Sequence, residues 1–243
     1  MELLPTPKQK RFGRKRCRKE ALVRGIIIIL KQGIGWNDLH LEGTSGVSCW
    51  RYCKNLQQKG SFHLIFQMIS TSSLDPTESS IDTTSVTSFR FTSCTGWDGK
   101  HKKMATKVSL ITEENGLPLD VEFGKGSRHD LKFVEKHRVN LRGRRIKTLN
   151  ADKGYTSIEL RRNLRRSGIH INMETRVKDY RHKRGPMFKF DEEKYKGRFS
   201  VERLNGWLKG FRSLRLRRSF KIGMFKALVY LALIVILLRN IEF

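Results

Sequence analysis

Three carboxylates stand out in a chain whose charge is otherwise overwhelmingly positive. Asp82 lies in Ile81-Asp82-Thr83-Thr84, Asp152 in Ala151-Asp152-Lys153-Gly154-Tyr155, and Glu202 follows Val201 in a basic stretch. The surrounding residue types predict Asp82 within a strand, Asp152 just past the end of one, and Glu202 on a helix. Carboxylates on the ends of neighbouring strands can converge at one sheet edge, and a helical carboxylate packed across that edge would complete a cluster. Three such groups repel one another unless a cation sits between them. Mg²⁺ takes oxygen ligands from a few carboxylates, phosphates and waters. Two such ions can activate a nucleophile and stabilise a leaving oxygen in phosphoryl transfer. Each acid alone has a plainer reading, because strand-end Asp residues often only cap or turn.

The helix expected around Glu202 adds to this. At about 100° per residue, Tyr195, Arg198, Glu202 and Lys209 share a stripe about 60° wide. Val201, Leu204, Trp207, Leu208 and Phe211 lie opposite, and Gly206 leaves room beside the polar stripe. One face therefore packs on a core while the other presents a carboxylate flanked by cations. A solvated face with an Arg198–Glu202 pair is the simpler account, and such a pair contributes about 0.2–0.5 kcal/mol. That account leaves the alignment of Tyr195 and Lys209 unexplained.

The elements that must hold these residues can be read along the chain. Ser80–Val86, Met104–Thr112 and Leu117–Phe123 read as strands, the last two joined at the turn signal Asn115-Gly116. Arg145–Ala151 and Ile169–Met173 read as further strands. Helices are expected over about Asp130–Val139, Ser157–Arg166, 196–212 and 221–239, and 174–194 reads as irregular and very basic. A three-strand meander followed by alternating helices and strands predicts an α/β domain with a mixed sheet. Before it, Ala21–Gln32 and a segment capped by Thr44 or Ser45 and stopped at Gly60 read as helices. The second offers Arg51, Lys54, Asn55, Gln57 and Gln58, which suggests a helix-turn-helix module or a plain bundle. The boundaries expected are a basic arm at 1–19, a helical region at 20–70, a Ser/Thr-rich linker at 71–79 and the α/β domain at 80–243.

Charge narrows the partners. Lys and Arg number 50 against 23 Asp and Glu, a net of +27. That excess points to an anionic partner, most simply a nucleic acid backbone. Lys15 and Arg16 belong to the basic arm and would lie on phosphates. Four Cys in 243 residues make no disulfide scaffold, which fits a reduced, cytoplasmic setting. Cys49, Cys53 and His63 lack a second ligand pair, so two inward thiols on one helix are expected rather than zinc. The apolar run Ala227–Leu238 is shorter than the ~20 residues a membrane span needs and reads as a core helix.

These residues also carry a family resemblance. Tyr195-x2-Arg198-x3-Glu202-x6-Lys209 resembles the Y-(2)-R-(3)-E-(6)-K signature of bacterial and archaeal insertion-sequence DDE transposases. Ile81-Asp82-Thr83-Thr84 resembles the family's first-Asp strand, and Ala151-Asp152-Lys153-Gly154-Tyr155 its second-Asp motif. Gly33-Ile34-Gly35-Trp36-Asn37-Asp38-Leu39 is similar to its G-x-x-W-R-x-L motif, with Asn37 where Arg is usual, and Gly124–Asp130 to a loop after the third strand. The resemblance implies an RNase H-like mixed-sheet catalytic core preceded by a small helical, helix-turn-helix-like DNA-binding region. It implies Asp82, Asp152 and Glu202 as catalytic metal ligands for Mg²⁺, with Mn²⁺ as a substitute. Tyr195, Arg198 and Lys209 would hold DNA phosphates, with Arg51, Lys54, Lys15 and Arg16 as further DNA contacts.

The activity implied is cleavage of the element's ends and transfer of the freed 3′ hydroxyl to target DNA. The partners would be double-stranded DNA (terminal inverted repeats and target) and a second copy of the chain, in a prokaryotic cytoplasm. Rival readings are an RNase H-like nuclease without strand transfer, a catalytically inactive DNA-binding relic or repressor, and an RNA-binding protein. Tyr195 as a covalent nucleophile is a further alternative. His129 and Asp130 are secondary, with Asp130 expected as a helix cap. Trp97 could stack on an unpaired base, whereas Trp207 faces the core.

Overall fold

The computed structural model describes residues 16–174 and 190–241. A mixed sheet forms its centre. Strand β3 (Glu78–Ser88) pairs antiparallel with β5 (Lys103–Glu113), and β5 pairs antiparallel with β6 (Pro118–Lys125). On its other edge β3 pairs in parallel with β7 (Thr148–Ala151), which pairs in parallel with β8 (His170–Asn172). The order β6-β5-β3-β7-β8, a meander extended by two parallel strands, is the RNase H-like arrangement expected. Two short strands absent from the sequence reading complete it. β4 (Gly96–Asp98) shares β5's outer edge with β6, and β9 (Leu216–Arg217) pairs with the far end of β3. Both are too short for a hydrophobic period to register. In the connection from β5 to β6, Gly116 adopts φ +91°, where a residue with a Cβ would be strained.

Side chains of β3 alternate between two cores. Ile81 packs with Ile111, Leu149 and Ala151 on one face, beneath α4 (Leu131–Asn140) and α5 (Ile158–Arg166). Ser157 caps α5, its hydroxyl accepting from Leu160 N–H. The opposite face, with Val108 and Leu110, is covered by α7 (Phe199–Gly210) and α9 (Ile222–Asn240). α9 is long and apolar enough to cross a membrane. Ten of its residues are buried, against α2, α3 and β6 among others. Each fully buried aliphatic such as Leu233 or Leu237 contributes about 1.5–3 kcal/mol there.

The helices before the sheet join the same core. α1 (Lys19–Gln32) stops at Gly33, in the left-handed region at φ +70°. α2 (Gly46–Gln58) is capped by Ser45, as expected. Residues 33–45 between them hold a 3₁₀ turn and the two-residue strands β1 (His40–Leu41) and β2 (Thr44–Ser45). That connection is longer than the 3–4 residues of a tight helix-turn-helix. α3 (Ser61–Ser73) was not distinguished in the sequence reading. The Ser/Thr-rich stretch 71–79 is divided between its last turn and the start of β3. Cys49 and Cys53 both turn into the core from α2, where burial pushes the Cys53 thiol up to about 12. Lys15 and most of 174–194 lie outside the described residues.

The expected single helix over 196–212 is three pieces: α6 (Glu192–Lys196), α7, and α8 (Arg212–Arg215). At the first junction Gly197 N–H bonds Lys194 O and Arg198 N–H bonds Tyr195 O, both spanning three residues. Such a turn is wound more tightly than an α-helix. Tyr195 is therefore rotated away from the stripe that uniform winding would give it.

Candidate active site

The register of the parallel pair sets the first two acids. Ile81 stands opposite Ala151, the last pair of the β3–β7 ladder. The next residues are Asp82, still within β3, and Asp152, just past the end of β7, so they stand at the same level of adjacent strands, and Asp82 lies on the face that carries α7. β7 ends there, and β3 continues without a partner on that edge until β9 takes it up at Thr87. The sheet is split open where the two acids lie.

α7 is seated across this split by polar contacts from the same face. The Ser80 hydroxyl donates to Gly197 O at 3.1 Å, and Thr112 and Ser200 share a hydroxyl bond at 2.9 Å. Asp82 is half-buried, and its Oδ2 accepts from the Asn205 amide of α7 at 3.0 Å. Burial raises the Asp82 pKa, with Glu202 adding to it, while the Thr83 N–H, Arg198 and Lys100 oppose the shift. Glu202 thus lies within the field of Asp82, although its own oxygen accepts from Arg198 at 2.7 Å and its side chain is 45% exposed. Asp152 is half-exposed and accepts the Lys153 N–H at 2.8 Å. Among the described residues no three acidic, His or Cys side chains stand close enough to hold a metal ion as they are.

The residues expected to hold phosphates are brought together in part. Arg198 lies over the Tyr195 ring at 5.7 Å and ion-pairs with Glu202, linking three residues of the signature. Lys209 is exposed and, with Thr84, Asn205, Leu208 and Phe225, lines a cavity between the sheet and the helices that cover it. Arg51 and Lys54 are exposed on α2, with Lys54 5.0 Å above the Trp50 ring, far along the chain from the acids. Arg16 is exposed just before α1. Trp207 is half-buried against the core, and Trp97 is exposed.

One expectation changes here. Asp130 stands at the N-cap of α4 but makes no capping bond, because its carboxylate takes Lys107 Nζ at 2.8 Å instead. Its charge reaches the buried Tyr155, which also feels Asp82 and Asp152 and whose hydroxyl bonds Thr83 at 2.9 Å. Asn205 was missed altogether. Its signal was an amide beside the polar stripe of a helix whose inner face is otherwise apolar. Its Oδ1 is buried and has no hydrogen-bond partner among the described residues.

The chain is similar to known proteins in sequence and in shape. It matches the transposase DDE domain family over residues 69–238. It is 31% identical over 94 residues to the insertion element IS402 uncharacterized 16.2 kDa protein of Burkholderia cepacia, an alignment covering 35% of this chain. The chain spans 64% of that relative's length. A piggyBac transposase synaptic complex with hairpin DNA superposes on 93% of this chain and 67% of its own, at TM-score 0.53 and 11% identity. A Mos1 transposase paired-end complex aligns at TM-score 0.29, too low to bear on the fold. The family match runs from the end of α3 to α9 and takes in Asp82, Asp152 and Glu202, and the chain belongs to the transposase DDE domain family.

Proposed function

We propose that the protein is an insertion-sequence DNA transposase that cleaves the ends of its element and joins the freed 3′ hydroxyl to target DNA. The observation that carries this is the level at which Asp82 and Asp152 follow the last pair of the parallel β3–β7 ladder, with Glu202 of α7 close enough to raise the Asp82 pKa. Asp82, Asp152 and Glu202 would hold Mg²⁺ or Mn²⁺. The donor set fits a hard cation, being all carboxylate oxygen, and the orphaned Asn205 Oδ1 adds an acceptor beside Asp82. When bound, the metal would activate the attacking group, water in cleavage and the freed 3′ hydroxyl in joining, and stabilise the leaving oxygen.

The chain's own residues do the positioning. Asn205 orients the Asp82 carboxylate through its amide. Arg198 holds Glu202 in place before substrate arrives and, with Tyr195 and Lys209, binds the phosphates flanking the scissile bond. Arg51 and Lys54 on α2, with the basic arm including Lys15 and Arg16, bind the terminal repeat. Two element ends must be brought together, so a homodimer on DNA follows, in a prokaryotic cytoplasm. Tyr195 forms no covalent bond to DNA; its hydroxyl donates a hydrogen bond to a phosphate oxygen.

The test is cleavage of a labelled duplex carrying the element's terminal repeat, with Mg²⁺ or EDTA, by wild type and Asp152→Asn. Metal-dependent nicking at the repeat boundary, absent in the variant, supports the reading. Joining of the cut end to a second duplex separates a transposase from a nuclease. Tight binding with no nicking in either condition would instead favour an inactive DNA-binding protein.

A further inference from the structure

The turn joining β4 to β5 has no part in the proposal above, yet it is built with unusual care. Asp98, only 2% exposed, sits beneath it. Its Oδ1 accepts the backbone N–H of Lys100 at 3.0 Å and of His101 at 3.2 Å. Its Oδ2 meets His101 Nδ1 at 2.9 Å and accepts from the Ser85 hydroxyl. Ser85 lies on β3 three residues beyond Asp82, so the turn is tied to the strand that carries the first acid. Lys102 holds φ +49°, a left-handed conformation that an L-residue adopts at a cost. The bonds beneath the turn impose its shape.

Its outer surface is cationic and aromatic. Trp97 is 54% exposed, and Lys100 and Lys102 are exposed as well. Among the described residues neither lysine has a carboxylate within ion-pair distance. The one acid of the segment is turned inward, where the Ser85 hydroxyl, the His101 ring and two backbone N–H groups engage it. Lys100 is close enough that its charge favours the ionised form of Asp82.

We propose that this turn is a second DNA-contacting element, gripping backbone phosphates of the duplex beside the acid site. Lys100 and Lys102 contact phosphate as point charges without reading sequence. The Trp97 ring packs against sugar or base. Asp98 is a positioning residue, acting through the shape it gives the turn. The proposal rests on the DNA-processing reading, but its test does not require cleavage.

Binding of a labelled random-sequence duplex is measured in EDTA across a range of salt. Each phosphate contact contributes about 0.9 to the slope of log K against log salt. Lys100→Ala/Lys102→Ala should therefore lower the slope by about 2. Asp98→Asn should lower it too, although both lysines remain. Duplex should quench a component of tryptophan emission that Trp97→Phe removes. An unchanged slope in the double lysine variant with native circular dichroism overturns the proposal, and those exposed substitutions should not disturb folding. A full slope in a folded Asp98→Asn removes its positioning role. If Glu202→Gln still cleaves, the catalytic reading fails while the slope result stands. If the slope is unmoved while metal-dependent cleavage is intact, the turn alone is wrong.

Discussion

The molecule treats its acids in two opposite ways. Asp120 and Asp98 are buried and each is held by more than one hydrogen-bond partner. Asp120 Oδ2 meets His137 Nδ1 at 2.7 Å and accepts from Asn140 at 3.0 Å, while His137 Nε2 reaches the Ser109 hydroxyl at 3.0 Å. Ser109, His137 and Asp120 have the residue types of a hydrolytic triad, but Ser109 is fully buried and His137 is 1% exposed. The array pins α4 to the sheet and has no access to substrate. Asp82, Asp152 and Glu202 are the reverse. They stand at an open edge with few donors, and one of them is half-buried at an electrostatic cost. Saturated carboxylates hold a fold together, whereas under-partnered ones grouped at a sheet opening are available for chemistry.

The largest expected effect tests the second group. Glu202→Gln should lower the cleavage rate by about 10⁴-fold, the scale of losing a principal catalytic group. Binding of duplex in EDTA should hardly change. Parallel loss of binding and cleavage would show that Glu202 supports the DNA interface rather than the reaction. The first group should behave inversely. Asp120→Ala strands a buried imidazole and removes a charge-assisted bond, at a cost of about 3 kcal/mol. For a chain of this size that lowers Tm by on the order of 10 °C. The folded fraction should cleave at the wild-type rate. A folded Asp120→Ala with native Tm would dissolve the contrast between the two groups.

Much of this was legible in the sequence. The order of five main strands, the α4, α5 and α9 positions, the Ser45 cap and the inward turn of Cys49 and Cys53 follow from hydrophobic period and capping chemistry. The strands carrying Asp82 and Asp152 were readable for the same reason. What was hidden depends on distance in sequence. Asn205 meets Asp82 across 123 residues, and β9 finds β3 across more than a hundred. The break at Gly197 rests on two short-range bonds that 3.6-residue counting cannot anticipate. Asp130 reads as a cap from its position, but Lys107 on β5 offers a full charge where the helix end offers only a backbone N–H.

The finest test makes one substitution in each group and compares signs. Burial alone would raise Asp98, but the Ser85 hydroxyl, the His101 ring and the His101 N–H outweigh it and hold the carboxyl well below the usual range. Its folded value is depressed, so its contribution is present above the unfolded pKa and fades as pH falls below about 4. Asp98→Asn should therefore destabilise at neutral pH, and the gap should narrow in acid. Asp82 is shifted upward, chiefly by burial. Its ionised form opposes folding, so the wild-type chain loses stability as pH rises through the folded value. Asp82→Asn should then raise Tm at neutral pH, measured in EDTA, and the gain should vanish at low pH where the native carboxyl is protonated. The same atom change, oxygen to amide nitrogen, would stabilise at one site and destabilise at the other. A drop in Tm for Asp82→Asn at neutral pH would mean that Asn205 and the neighbouring cations satisfy this carboxylate as fully as Asp98 is satisfied, and the electrostatic cost of burying it would not exist.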